Sequence, residues 1–132
     1  MIVAIIIASI LIFLAAMSEA IMDNLQFHYY KSIFSNRKSQ QFWNPLISWS
    51  NKYKNGDKNL GEKFIGSTTV FVGLTDAWHL FKLINHTCLF IGLSLLAFHS
   101  NSFNQLVIVI CMARMLYGFI FTIFFDAILN KK

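Results

Sequence analysis

Charge is scarce in this sequence. Only 13% of its 132 residues are Asp, Glu, Lys or Arg, about half the usual share in a soluble domain. Its two cysteines, Cys88 and Cys111, both lie inside apolar runs. They exclude a disulfide framework and a zinc-type cysteine pair, and read as buried structural thiols. A glycine-rich phosphate loop, a Gly-x-Ser-x-Gly elbow and a His-Glu-x-x-His stretch are all missing, and with them the signatures of the commonest nucleotide-binding, hydrolase and zinc-protease sites. Internal repeats, low-complexity tracts and Ser/Gly-rich linkers are missing too. No Lys or Arg precedes Lys31, so a secretory signal peptide would lack its basic n-region. An uncleaved membrane helix is the better reading, because the helical pattern continues past the candidate cut at Leu14–Ser18 through Glu19, Asp23, Phe27 and Tyr30.

What remains is lipid-like. Hydrophobic residues make up 56% of the chain, with fourteen phenylalanines, more than a soluble domain of this length can hide. One all-α integral membrane domain over 1–132 is expected. Its parts are a first span at about 1–30, a basic connection at about 31–63, a second span at about 64–99 and a third at about 105–129. The net charge of +5 does not indicate nucleic acid, because the basic residues are confined largely to one connection and the C-terminus. Lys31, Arg37, Lys38, Lys52, Lys54, Lys58 and Lys63 face only Asp57 and Glu62 there, which marks that side as cytoplasmic. The N-terminus is then outside, and Lys131-Lys132 at the C-terminus inside, in a multi-pass protein of the cell membrane.

Within the connection, Asn44-Pro45 reads as a helix start, with Asn as N-cap and Pro at the first helical position. Leu46, Trp49 and Tyr53 follow as one apolar-aromatic stripe, a short helix suited to the headgroup region. Asn55-Gly56-Asp57 reads as a turn. Segment 64–99 is ambiguous between one helix and two short spans broken near Lys82–His86. Neither Pro nor a turn-forming Gly marks a break there, and charge topology favours one. Thirty-six helical residues would reach about 54 Å at about 1.5 Å each, well beyond a bilayer core of about 30 Å. The first turns are therefore expected to lie in the cytoplasmic interface.

Four of the six acids, Glu19, Asp23, Asp76 and Asp126, fall in the hydrophobic segments. Ionisable groups there are costly and by default functional. Counting along the spans brings Glu19, Asp23, Asp76 and His79 to one level near the cytoplasmic side, with His28 just below and His86 and Arg114 facing each other above. Three chemistries fit this acid–histidine cluster. Glu19, Asp23, Asp76 and His79 offer mixed oxygen and nitrogen ligands for a divalent metal (zinc, iron or manganese). The same groups can relay protons. Alternatively, Arg114 and the histidines neutralise the carboxylates and the network specifies helix packing, with Asp76, Asp126 or an anionic lipid as the partner of Arg114. The favoured reading is a polar seam serving helix assembly or ion and proton handling. The alternative is a membrane-embedded metal-dependent hydrolase or oxidoreductase acting on a lipid-like substrate. Three helices bury little surface, so a homo-oligomer or another membrane subunit is expected in the bilayer, with Ala4-x-x-x-Ala8, Gly92 and Ser94 as small-residue contact surfaces.

Two stretches, Glu19-Ala-Ile-Met-Asp23-Asn-Leu-Gln-Phe-His28 and Gly66-Ser-Thr-Thr-Val-Phe-Val-Gly-Leu-Thr-Asp76-Ala-Trp-His79-Leu-Phe-Lys82, resemble a family of small, uncharacterised bacterial or phage-associated integral membrane proteins. Phe42-Trp43-Asn44-Pro45 and Asn51–Asp57 are similar to it as well. The resemblance covers about the first two-thirds of the chain and implies a grouping without a mechanism.

Overall fold

Three long apolar helices run back and forth, and the polar connection folds over one of their ends. The computed structural model describes residues 2–130; Met1 and the Lys131-Lys132 pair used in the orientation argument lie outside the described residues. Helix α1 covers Ile2–Phe27, short helices α2 and α3 cover Gln40–Trp43 and Pro45–Ser48, and α4 and α5 cover Ala77–Phe98 and Phe103–Thr122. A π-helical turn, Ile123–Ile128, prolongs α5. Strands are absent among the described residues. Helices Ile2–Phe27, Ala77–Phe98 and Phe103–Ile128 are each long and apolar enough to cross a membrane.

Helix α1 is the central one. It packs along α4 and, less extensively, along α5, whereas α4 and α5 touch each other little. Its sequence explains this, because Ala8, Ala15, Ala16, Ser18 and Ala20 are fully buried and let neighbouring backbones come close. Gly92 of α4 completes the fit: a Cβ there would stand 3.3 Å from both the Ala8 carbonyl oxygen and the Leu11 Cβ. Ala8 and Gly92, expected to mediate contacts between subunits, are thus spent on packing within the chain. Ser94 stays exposed. Cys88 is half-buried and Cys111 is exposed, so burial does not account for the second thiol.

The second long helix starts thirteen residues later than its hydropathy suggests. Residues 64–76 form turns and one short 3-10 helix, Val72–Leu74, because other parts of the chain capture their backbone. The Glu62 carboxylate accepts from the Gly66 and Thr68 amides and from the Thr68 hydroxyl, and Gly66 takes a left-handed φ of 76° that ends helical propagation. Glu62 is correspondingly held below the usual carboxylate range by the Thr68 hydroxyl and these amides. Asp76 then caps the helix: its backbone is extended and its Oδ1 accepts from the His79 amide at 3.0 Å. From Ala77 the helix runs 22 residues without a break at Lys82–His86. That is about 33 Å, which matches a bilayer core without any excess.

The connection is a folded cap with its own aromatic core. Phe34 stacks on Trp43 at 4.9 Å, and Trp43 lies against Phe81 of α4. Buried Tyr29 hydrogen-bonds Gln40. The Ile33 amide donates to the Leu129 carbonyl at 2.9 Å, pinning the cap to the end of the third long helix. The expected helix start at Asn44-Pro45 is present, with the Asn44 side chain accepting from the Leu46 amide at 3.1 Å. The turn at Asn55-Gly56 is present too, both residues taking positive φ.

Candidate functional site

Asp76 and His79 form the best-defined polar site. Only 2% of Asp76 is exposed, and both carboxylate oxygens are used. Oδ1 takes the His79 amide, and Oδ2 meets His79 Nδ1 at 2.7 Å and the Thr75 hydroxyl at 3.2 Å. Burial pushes the Asp76 carboxyl up, but the hydrogen bonds and charge of His79, with help from Thr75, outweigh it and hold the group below its usual range. The imidazole is half-exposed, wedged edge-on against the Trp78 ring at 5.0 Å. With Nδ1 engaged by a carboxylate, the neutral ring carries its proton on Nδ1 and leaves Nε2 as an acceptor. Among the described residues Nε2 has no hydrogen-bond partner.

The ring opens on a cavity of about 370 Å³. Gln26 at the end of α1, Ser48 at the end of α3, and Trp49 and Trp78 help to line it. Asn51 fixes the geometry. Its Nδ2 donates to the Thr75 carbonyl at 2.9 Å and to the Gln41 carbonyl at 2.6 Å, tying the α2–α3 layer to the residue before Asp76.

The other sequence-expected groups lie elsewhere. Glu19, His86 and Arg114 line a separate cavity of about 440 Å³ between the three long helices, together with Asn85 and Tyr117. His86 and Arg114 share that cavity, and the acid that lines it with them is Glu19 and not Asp76. Arg114 lies over the Tyr117 ring at 5.7 Å, and not against Asp76 or Asp126. Asp23 interacts electrostatically with His28, whose ring contacts Phe125 at 5.3 Å. Asp126 is exposed on the π-helical turn.

The single level of acids and histidines thus resolves into three groups. Asp76 is the N-cap of α4, at the end of that helix, while Glu19 lies within α1 on the cavity between the three long helices. Among the described residues no three His, Cys, Asp or Glu side chains converge to hold a metal ion, so Glu19, Asp23, Asp76 and His79 do not form a ligand set.

Residues that charge-based reasoning passed over carry much of the network. Asn85 is 3% exposed, and its Nδ2 donates to the Ala15 carbonyl of α1 and to the Tyr117 hydroxyl of α5, both at 2.8 Å. A neutral amide within an apolar run was the available signal. Asn85→Ala is expected to cost about 1–2 kcal/mol, in line with interhelical hydrogen bonds in membranes. Denaturant unfolding in detergent, followed by helical circular dichroism, measures it. In a double-mutant cycle, Tyr117→Phe costs less in the Asn85→Ala background than in the native one.

No family model, no curated protein and no solved structure matches this chain.

Proposed function

We propose that this is a three-span protein of the cell membrane whose working site is a proton-accepting imidazole at the cytoplasmic interface. The observation that carries the reading is the Asp76–His79 pair: a buried carboxylate fixes one ring nitrogen at 2.7 Å while the other is unpartnered beside a cavity. Such a pairing sets the tautomer and orientation of a general base. The location is supported by charge. The seven basic residues all lie in the connection between α1 and α4, at the site's end of the bundle, and the positive-inside bias favours the cytoplasm for that end, with the N-terminus outside. Leu46, Ile47 and Trp49 are exposed on the cap and suit the headgroup layer. An amphiphile bringing its polar group to the interface would meet the imidazole there. Asn85 supports the accompanying assembly role, since one side chain joins all three spans.

Nitrogen-15 NMR of histidine-labelled protein in lipid nanodiscs tests the site. The neutral His79 ring is expected in the Nδ1–H form in the native protein, and in Asp76→Asn that preference is expected to weaken. A native Nε2–H ring would refute the reading.

A further inference from the structure

Eight polar or charged residues are buried among the described residues, and seven of them have hydrogen-bonded side chains. Ser18, Ser32 and Ser67 each donate to a backbone carbonyl at 2.7 Å. Thr75 and Asn24 also donate to carbonyls, and Asp76 and Asn85 are bonded as described. The exception is Ser48. It is 4% exposed, its hydroxyl has no partner among the described residues, and it lines the same cavity as Asp76 and His79. The Ser48 hydroxyl is not sealed in packed protein, and it lines the cavity on which His79 opens.

From this we infer that Ser48 is the nucleophile of an acyl-transfer site, with His79 as its base and Asp76 as the group that orients the base. The inference rests on the proton-accepting role given to His79 above. Three segments distant in sequence deliver these groups to one cavity: the end of α3 brings Ser48, the N-terminus of α4 brings Asp76 and His79, and the end of α1 brings Gln26. The Gln26 carboxamide makes no hydrogen bond among the described residues and supplies N–H donors for a developing oxyanion. Ser48 and His79 are not hydrogen-bonded to each other, as is common before substrate tightens a catalytic site. Asn51, which staples the Ser48 layer to Thr75, is a positioning residue for the whole set.

The substrate class is a carboxylic ester of an amphiphile. Trp49 and Trp78 give the cavity apolar walls for an acyl chain, and Ser48, Asp76 and His79 line it with them. In the first step the Ser48 Oγ–carbonyl carbon bond forms, the Oγ proton passes to His79 Nε2, and the ester C–O bond breaks as that proton moves to the departing alcohol. Water then adds to the acyl-enzyme, gives its proton to His79, and releases the carboxylic acid with Ser48 reprotonated. No electron acceptor is needed.

A fluorophosphonate probe reports the nucleophile without knowledge of the natural ester: the Oγ–phosphorus bond forms, fluoride leaves and the Oγ proton goes to His79. Folded native protein in detergent micelles is treated, digested and mapped by mass spectrometry. The expected result is an adduct on Ser48 that heat denaturation before labelling abolishes. Labelling is expected to be at least about 10²-fold slower in His79→Ala, the usual loss on removing a general base, and unchanged in Ser50→Ala. Absence of an adduct on Ser48 in the folded native protein overturns the inference, and so does an adduct whose rate ignores His79→Ala in a variant that keeps native helicity. Labelling failure with the Nδ1–H tautomer intact removes the nucleophile alone. Loss of the tautomer removes the proton-accepting reading beneath it.

Discussion

Asp76→Ala is expected to destabilise the protein by about 2–3 kcal/mol. Loss of an N-cap costs about 0.5–2 kcal/mol, and hydrogen bonds to a charged group are worth about 1.5–3. Because one carboxylate makes both kinds of contact, the two figures overlap rather than add. The substitution leaves the His79 amide and the His79 ring short of an acceptor in a place where Asp76 itself is only 2% exposed. Asp76→Asn separates the two roles, since Asn caps helices well but carries no charge. Unfolding in detergent at neutral pH should therefore rank native, Asn and Ala in falling stability.

Acid adds a second dimension to the same comparison. The folded Asp76 carboxyl lies below its ordinary value of 3.8, the His79 and Thr75 contacts outweighing burial. Its charged form is then favoured in the folded state, and the stability it contributes is fully present above about pH 3.8. It is lost as pH falls through the lower folded value. The gap between the native protein and Asp76→Asn should accordingly narrow as pH falls through that region. A gap that went on widening below about pH 3.8 would contradict a depressed Asp76.

Gly92→Leu is expected to cost about 3 kcal/mol, the upper end of ordinary overpacking. A Cβ at this position already stands 3.3 Å from the Ala8 carbonyl oxygen, a backbone atom that cannot swing aside, and 3.3 Å from the Leu11 Cβ. The α1–α4 contact is the most extensive between helices, so prising it apart disturbs Asn85 and Ala15 one to two turns away. Gly118→Ala is the control. Its added carbon meets only the Arg114 Nη1 at 3.3 Å, the far end of a flexible side chain, and alanine is the better helix former by roughly 0.5–1 kcal/mol. Thermal unfolding followed by circular dichroism should show a large fall for Gly92→Leu and little change for Gly118→Ala.

Much of the architecture is legible in composition alone. Three apolar runs give three helices because a long run with few charges has no other way to satisfy its backbone in lipid. Asn44-Pro45 and Asn55-Gly56 are readable because a cap and a left-handed turn are local chemistry, decided within three or four residues. The identity of Asp76 and His79 as a linked pair was legible for the same reason, their spacing of three being helical.

What the sequence could not convey by itself is where the second span begins and which polar groups share a cavity. Residues 64–76 are apolar enough to read as helix, and they are held in turns by Glu62 in the preceding segment and by Asn51 reaching across 24 positions to Thr75. Hydropathy registers how apolar a stretch is, but not a side chain from elsewhere competing for its amides. The position of Asp76 at a helix end, with His79 and Ser48 lining one cavity, goes with that tertiary choice. Composition and local spacing therefore determined the spans, the cap's turns and the acid–imidazole pair. Long-range hydrogen bonds decided the register of the second span, because only contacts between distant segments can stop a helix whose own residues would continue it.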